Sequence, residues 1–288
     1  MKTLQVENTI NFPDDVNFDG VDHVIFRQTI HNKLSKGDLP NSILKLEFIG
    51  NYDHELDRDV LPCFLTHLSF WGSFNFELKT GVLPNTIIQL DFWGDYNHPF
   101  DIGVLPTSLK FLGLWGEYDK EFIRGSLPDS LEHLILWHEF NQKFEPNVLP
   151  NNLQRLDFWG NYSRKFGPDV FPNSLTHITL PSDYPHVIDK SDFPDNLRVI
   201  LFNYISNYSG LINLPPIPDN ILVILENVNE FPPDIKFRTK ICIHPWCIKL
   251  GHGYDASNIF INGEKYSVIT SKYFEPYCLA KSAMKSAK

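Results

Sequence analysis

The chain has 288 residues and a formal net charge of −10. That length suits one large domain or two ordinary ones, and that charge argues against nucleic acid or an anionic membrane as partner, because either requires neutralising phosphates. Aromatics at 14% exclude a disordered chain, and four Ala against 21 Pro argue against a helical bundle.

The N-terminal stretch Met1-Lys2-Thr3-Leu4-Gln5-Val6-Glu7-Asn8 has no apolar core, so no signal peptide is expected. No apolar run approaches the ~18 residues that span a bilayer. The four cysteines, Cys63, Cys242, Cys247 and Cys278, are too sparse for a secreted disulfide scaffold. A soluble, cytoplasmic protein is the expectation. Residues 1–16 are polar apart from positions such as Ile10, Phe12 and Val16, and are expected to form a short N-terminal cover.

An apolar-Pro pair then recurs every 22 residues, at Leu39-Pro40, Leu61-Pro62, Leu83-Pro84, Leu105-Pro106, Leu127-Pro128, Leu149-Pro150, Phe171-Pro172 and Phe193-Pro194. Positions are counted forward from each Pro. Column three holds Ile43, Leu65, Ile87 and their counterparts; column six Leu46, Leu68, Leu90; column eight Phe48, Phe70, Phe92. Each repeat thus carries L-x-x-L-x-F. Column twelve is Tyr or Phe, from Tyr52 to Tyr184, and is read as core. Eight regular repeats run over 17–192, with irregular repeats continuing to 235.

L-x-x-L-x-F is the apolar skeleton of a leucine-rich-repeat turn, and 22 residues lies in the range for that architecture. Alternation at columns six and eight predicts a short half-buried strand. One turn cannot bury its apolar face alone, so the turns stack into a solenoid with one parallel sheet on its concave face. The return segments are short and rich in Pro, Gly, Asp and Asn, which predicts turns or 3₁₀ pieces rather than helices.

Five of the six tryptophans, Trp71, Trp93, Trp115, Trp137 and Trp159, occupy column nine. Period-two alternation sends columns five, seven and nine to the outer sheet face. The Trp column would then be flanked by His67, His133 and Arg155 in column five and by Asp91 and Asp157 in column seven. Two compatible readings stand: an exposed binding strip, or a self-stacked structural ladder.

Residues 236–288 leave the period. Lys240-Ile241-Cys242-Ile243 reads as a strand, and Asn262-Gly263 between apolar runs signals a two-residue hairpin. This segment is expected to be a small β-rich cap with a loose tail at 281–288. Cys242, His244 and Cys247 have zinc-ligand types at a tolerated spacing, but no second ligand pair follows, and buried free cysteines are the plainer reading. His67 with Asp91, and His133 with Asp157, could do acid–base work, but no nucleophile motif accompanies them. No cofactor, metal or catalytic residue is expected.

Leu149-Pro150-Asn151-Asn152-Leu153-Gln154-Arg155-Leu156-Asp157-Phe158 and Phe140-Asn141-Gln142-Lys143-Phe144 resemble the FNIP repeat family, 22-residue relatives of leucine-rich repeats common in social amoebae and in giant viruses of amoebae. The resemblance implies a protein-interaction module, in the host cytoplasm if viral. Many members carry an F-box, which the stretch before the first repeat does not fit. The family's strand Phe is usually followed by Gly; here Trp intervenes. The expectation is a non-enzymatic scaffold binding a protein partner on its concave face through the Trp column and its flanking residues. Carbohydrate binding and structural assembly are the alternatives.

Overall fold

The computed structural model describes residues 2–7, 16–181, 184–186 and 193–203, and four further short strands. Fourteen strands are assigned: β1 Thr3–Val6, β2 His23–Phe26, β3 Lys45–Phe48, β4 His67–Phe70, β5 Gln89–Phe92, β6 Phe111–Leu114, β7 His133–Leu136, β8 Arg155–Phe158, β9 His177–Pro181, β10 Val199–Asn203, β11 Leu222–Leu225, β12 Ile241–Ile243, β13 Ile259–Ile261 and β14 Glu264–Tyr266. Strands β1 to β12 form one parallel sheet in strict chain order. There is no helix among the described residues.

From β2 to β10 each strand pairs with the next at an offset of 22, so every residue lies beside its own counterpart one turn on. The β10–β11 register pairs Val199 with Leu222, and β11–β12 pairs Val223 with Ile241, so the period ends at β10. Two expectations about the ends are refined. β1 pairs with β2 as the first strand of the sheet, inside the expected cover. β12 extends the same sheet past residue 235. β13 and β14 pair antiparallel with two residues between them, as the Asn262-Gly263 signal predicts.

The core is one continuous cluster built from columns three, six, eight, twelve and sixteen together with the apolar residues just before each Pro, such as Val60 and Leu61. Like packs on like: the Phe48 and Phe70 rings lie 4.9 Å apart at 5°, and Tyr96 and Tyr118 lie 6.3 Å apart at 2°. Offset stacking of this kind adds to the burial of large apolar area.

The return segments have no sheet to satisfy their backbone, and three recurring devices, one of backbone and two of side chains, do so instead. First, each Pro carbonyl accepts from the column-three N–H, closing a turn, as in Leu65 N–H to Pro62 O at 3.0 Å. Second, the column-two hydroxyls of Thr86, Ser108, Ser130 and Ser174 each donate to the column-three carbonyl one turn back at 2.7 Å. Third, column thirteen forms a ladder. Asn75, Asn97, Asp119 and Asn141 each accept, through a side-chain oxygen, the N–H of the next turn's counterpart at 2.9–3.0 Å. Column fourteen answers it: His98, Arg164 and His186 reach back to the carbonyls of Asn75, Asn141 and Ser163.

Two backbone constraints fix the turns. Three residues before seven of the eight Pro the chain is left-handed, at Gly37, Asp59, Gly81, Gly103, Gly125, Asn147 and Asp169. Only Gly, Asn and Asp visit that region readily. In column ten, Gly72, Gly94 and Gly116 let successive backbones touch: a Cβ at Gly94 would lie 2.5 Å from the Gly72 carbonyl oxygen. His138 replaces Gly in this column and is itself left-handed, with φ of 52°.

Asp169→Gly should therefore stabilise the chain by a few tenths to about 1 kcal/mol, and Gly103→Ala should destabilise it by about 1–2 kcal/mol, read from urea midpoints. The φ at these positions is 58° and 81°.

Candidate functional site

The outer sheet face is a row of strands whose columns five, seven and nine point away from the core. Column nine lies just beyond each strand. There the indoles stack along the solenoid. Trp71 and Trp93 lie 4.3 Å apart at 5°, and Trp93 and Trp115 lie 4.4 Å apart at 3°. Trp115 and Trp137 diverge to 5.8 Å and 43°, and Trp137 and Trp159 resume at 5.7 Å and 18°. The divergence falls beside His138, where the column of closely stacked glycines is interrupted. Trp115 is buried, and the other four are half-buried.

The indoles also fold back over column seven. Trp71 Nε1–H donates to Glu47 Oε2 at 3.1 Å, and Trp115 Nε1–H donates to Asp91 Oδ1 at 2.8 Å. In both, the acceptor is the carboxylate one turn earlier. Gly113 makes room for the second bond, because a Cβ there would sit 2.2 Å from Trp115 Nε1. At the equivalent position, 24 residues before Trp93 and Trp137, stand Ser69 and Gly113 rather than acids, and the two indole N–H groups have no acceptor among the described residues.

The carboxylates differ from expectation. Asp91 is 4% exposed and Asp157 is fully buried, so neither is presented to solvent. The alternation placed them on the correct face. What it could not show is that the neighbouring side chains close over them. Asp91 also accepts from Gln89 Nε2 at 2.8 Å. Burial pushes its carboxyl up to about 6, against the pull of the Trp115, Gln89 and Ser69 bonds. Asp157 accepts from His133 Nε2–H at 2.6 Å, from Arg155 Nε–H at 2.7 Å and from the Thr179 hydroxyl. Burial alone would raise it, but the Arg155 charge and the bonds from His133 and Thr179 outweigh that and hold it well below the usual carboxylate range.

Column five forms the half-buried rim. Thr66 Oγ1 donates to the Leu44 carbonyl, so it accepts from His67 Nδ1–H at 2.8 Å. The Thr176-His177 pair repeats this arrangement. Burial lowers the pKa of His67, His133 and His177, with the charges of Lys45 and Arg155 adding to it. Arg155 holds its charge on Asp157, flanked in register by His133 and His177. Hence His67, His133, Arg155, Asp91 and Asp157 share one face with the Trp column; His67 bonds to Thr66 alone, and the other four fall in two separate networks. One joins Gln89, Asp91 and Trp115; the other joins His133, Arg155, Asp157 and Thr179.

Sequence reasoning missed Glu47, which holds His23 Nε2 at 2.9 Å as well as Trp71. The signal was present: an acid 24 residues before a Trp marks both indole bonds. Of the zinc candidates, Cys242 lies in β12 with its side chain undescribed, and His244 and Cys247 lie outside the described residues. No cluster of metal-ligating side chains occurs among the described residues. No helix there is long and apolar enough to cross a membrane.

Because the folded carboxyl of Asp91 titrates near 6 and an unfolded one near 3.8, the folded state holds the extra proton between those values. Stability from this group therefore falls as pH rises from about 4 to 6 and stays low above it. Asp91→Asn removes that loss, so the variant should gain about 3 kcal/mol on wild type between pH 4 and 7.5 in urea unfolding. The three lowered histidines act in the opposite direction near pH 6, so the difference between the two proteins, not either curve alone, isolates Asp91. Gly113→Ala should displace the Trp115 indole, weaken the near-ultraviolet dichroism of the stack and lower stability by about 1–3 kcal/mol.

The solved structures include a similar fold: CroV588, a giant-virus protein described as a novel circular LRR protein structure. It is 23% identical, with a TM-score of 0.48, over 78% of this chain and 41% of that one. The chain therefore spans less than half the length of that protein. No curated protein is similar enough to match. The FNIP Repeat profile matches residues 31–73, 52–95, 74–115, 96–138 and 140–183, together more than half of the chain. Each match takes in two successive strands with their column-nine residues and the return segment between them, so the chain belongs to the FNIP repeat family.

Proposed function

We propose that this protein is a non-enzymatic scaffold that binds a protein partner on the outer, concave face of its sheet. The observation that carries this reading is the indole stack. It offers a rigid, half-exposed apolar edge, and its Trp93 and Trp137 N–H donors have no acceptor among the described residues. Trp and Arg are the residue types most enriched in interface hot spots, and preorganised groups lose little entropy on binding. Trp71, Trp93, Trp137 and Trp159 are the anchors, with His67, His133 and Arg155 beside them. Trp115, Asp91 and Asp157 act beneath them, fixing the geometry. A cytoplasmic setting fits the sparse cysteines, and neither nucleic acid nor membrane is the partner of a chain this acidic.

The carbohydrate reading is weaker for a geometric reason. Sugars stack on ring faces, but Trp71, Trp93 and Trp115 cover one another's faces and leave edges. Edges with indole donors suit peptide carbonyls and apolar side chains.

Affinity capture with wild type and with Trp93→Ala/Trp137→Ala tests the proposal. Neither indole N–H has an acceptor among the described residues, so the variant breaks no hydrogen bond there, and it should stay folded and lose its captured partners. Unchanged capture by a folded variant would remove the Trp column as the binding site. Binding to a glycan array would favour the carbohydrate reading, and concentration-dependent light scattering would favour assembly.

A further inference from the structure

We propose that the partner segment is basic: an extended stretch with two or three Lys or Arg side chains close together, laid across the turns along the indole stack. This rests on the scaffold reading and names the chemistry of its partner.

The support is the rim that the indoles border. Beyond each column-nine residue the chain leaves the sheet through columns ten to thirteen. From Gly50 to Ser163 those columns hold five acids, Asp53, Asp95, Glu117, Asp119 and Glu139, and no Lys or Arg. Three of them, Asp95, Glu117 and Glu139, occupy column eleven on successive turns, two residues after Trp93, Trp115 and Trp137. Like charges one strand apart repel. Column seven avoids this by placing Ser69, Gly113 and Ile135 between its acids, and column eleven does not.

No lysine or arginine among the described residues neutralises the row. Glu117 is exposed and makes no hydrogen bond or ion pair there. Glu139 is exposed and meets the neighbouring His138 at 2.6 Å. Asp95 is half-buried and accepts from the Ser73 hydroxyl and the Phe74 N–H, which are uncharged donors. The first cations beyond the rim, Lys120 and Arg164 in column fourteen, form no ion pair with it, and Arg164 donates to the Asn141 carbonyl instead. Nor does the row converge on a point: no cluster of metal-ligating side chains occurs among the described residues. It is a line of separate carboxylates beside an apolar strip, which suits the amines or guanidinium groups of a peptide.

The remaining contacts follow from the same line. Asp95 and Glu139 are two turns apart, about 10 Å at the usual interstrand distance, and an extended peptide covers that in about three residues. Glu117 and Glu139 follow Trp115 and Trp137, the pair in the stack whose planes diverge most, by 43°. A ring without a parallel neighbour can take a cation on its face. The Trp93 and Trp137 nitrogens are likewise two turns apart, and neither is buried, so both can donate to peptide carbonyls.

Fluorescence anisotropy with the full chain and three labelled twelve-residue peptides tests this. The peptides share an apolar centre and carry Lys, Gln or Glu at two positions three apart. The Lys peptide should bind about three- to tenfold tighter than the Gln peptide at low salt, lose most of that advantage at high salt, and outbind the Glu peptide by more. Glu117→Gln/Glu139→Gln should erase most of the Lys preference, and because both side chains are exposed the variant should stay folded. Asp101→Asn/Asp129→Asn removes two exposed acids from columns seventeen and one, and should leave the preference intact. That comparison separates the row from the net charge of −10. Equal binding of the Lys and Gln peptides, a Lys preference that survives Glu117→Gln/Glu139→Gln, or an equal loss in Asp101→Asn/Asp129→Asn overturns the inference. If the Lys and Gln peptides bind equally and Trp93→Ala/Trp137→Ala abolishes both, the partner is not basic but the scaffold reading stands. If none binds, the basic segment is overturned, and partner capture judges the scaffold by itself.

Discussion

From β2 to β10 each strand residue has its own counterpart as neighbour, one turn before and one turn after. Parallel strands about 4.8 Å apart impose this once the period is fixed at 22. A column can then hold only residues that tolerate a copy of themselves at that distance. Aromatic rings do so by stacking, as columns eight, nine and twelve show. Amides do so by accepting the next turn's N–H, as in column thirteen. Glycine does so where backbones touch. The repeat is therefore a set of solutions to one packing problem.

Charge obeys the same rule by interruption. In column seven no two acids are adjacent: Glu47, Asp91 and Asp157 are separated by Ser69, by Gly113 and Ile135. Two carboxylates one strand apart on a half-dry face would repel strongly. Each acid instead meets donors from its neighbours, and the indoles cover two of them. The ladder and the acids are thus one device. The Trp115 indole helps close Asp91 off from water, and Glu47 and Asp91 hold the Trp71 and Trp115 indoles in place. Asp91 shows the cost of this arrangement, since its burial disfavours the ionised form. A rigid apolar edge is what the protein gains, and the proposed function uses that edge.

Much of this was legible in the sequence. The apolar-Pro pairs set the turns, columns six and eight set the strands, and their alternation assigned the faces correctly from Lys45 to Leu180. The left-handed position was legible too, because Gly, Asp and Asn alone occupy it through seven turns, although the more prominent Leu-Pro signal drew attention first. The depth of a side chain on its face was not legible. Period two says that Asp91 points outward; it cannot say that Trp115 reaches back 24 residues and covers it. The pairing of Arg155 with Asp157 rather than with solvent was hidden for the same reason.

The sequence alone determined the solenoid, its period, its sheet register and the gathering of five indoles into one column, because strict repetition turns spacing along the chain directly into position in space. Tertiary structure decided which of those groups remain available: Trp93 and Trp137 have no acceptor among the described residues, and Asp91 and Asp157 are closed away. Availability depends on how side chains from neighbouring turns fill the space above the sheet. That is set by volumes and hydrogen-bond geometry across turns, as where Gly113 leaves the room that Trp115 occupies.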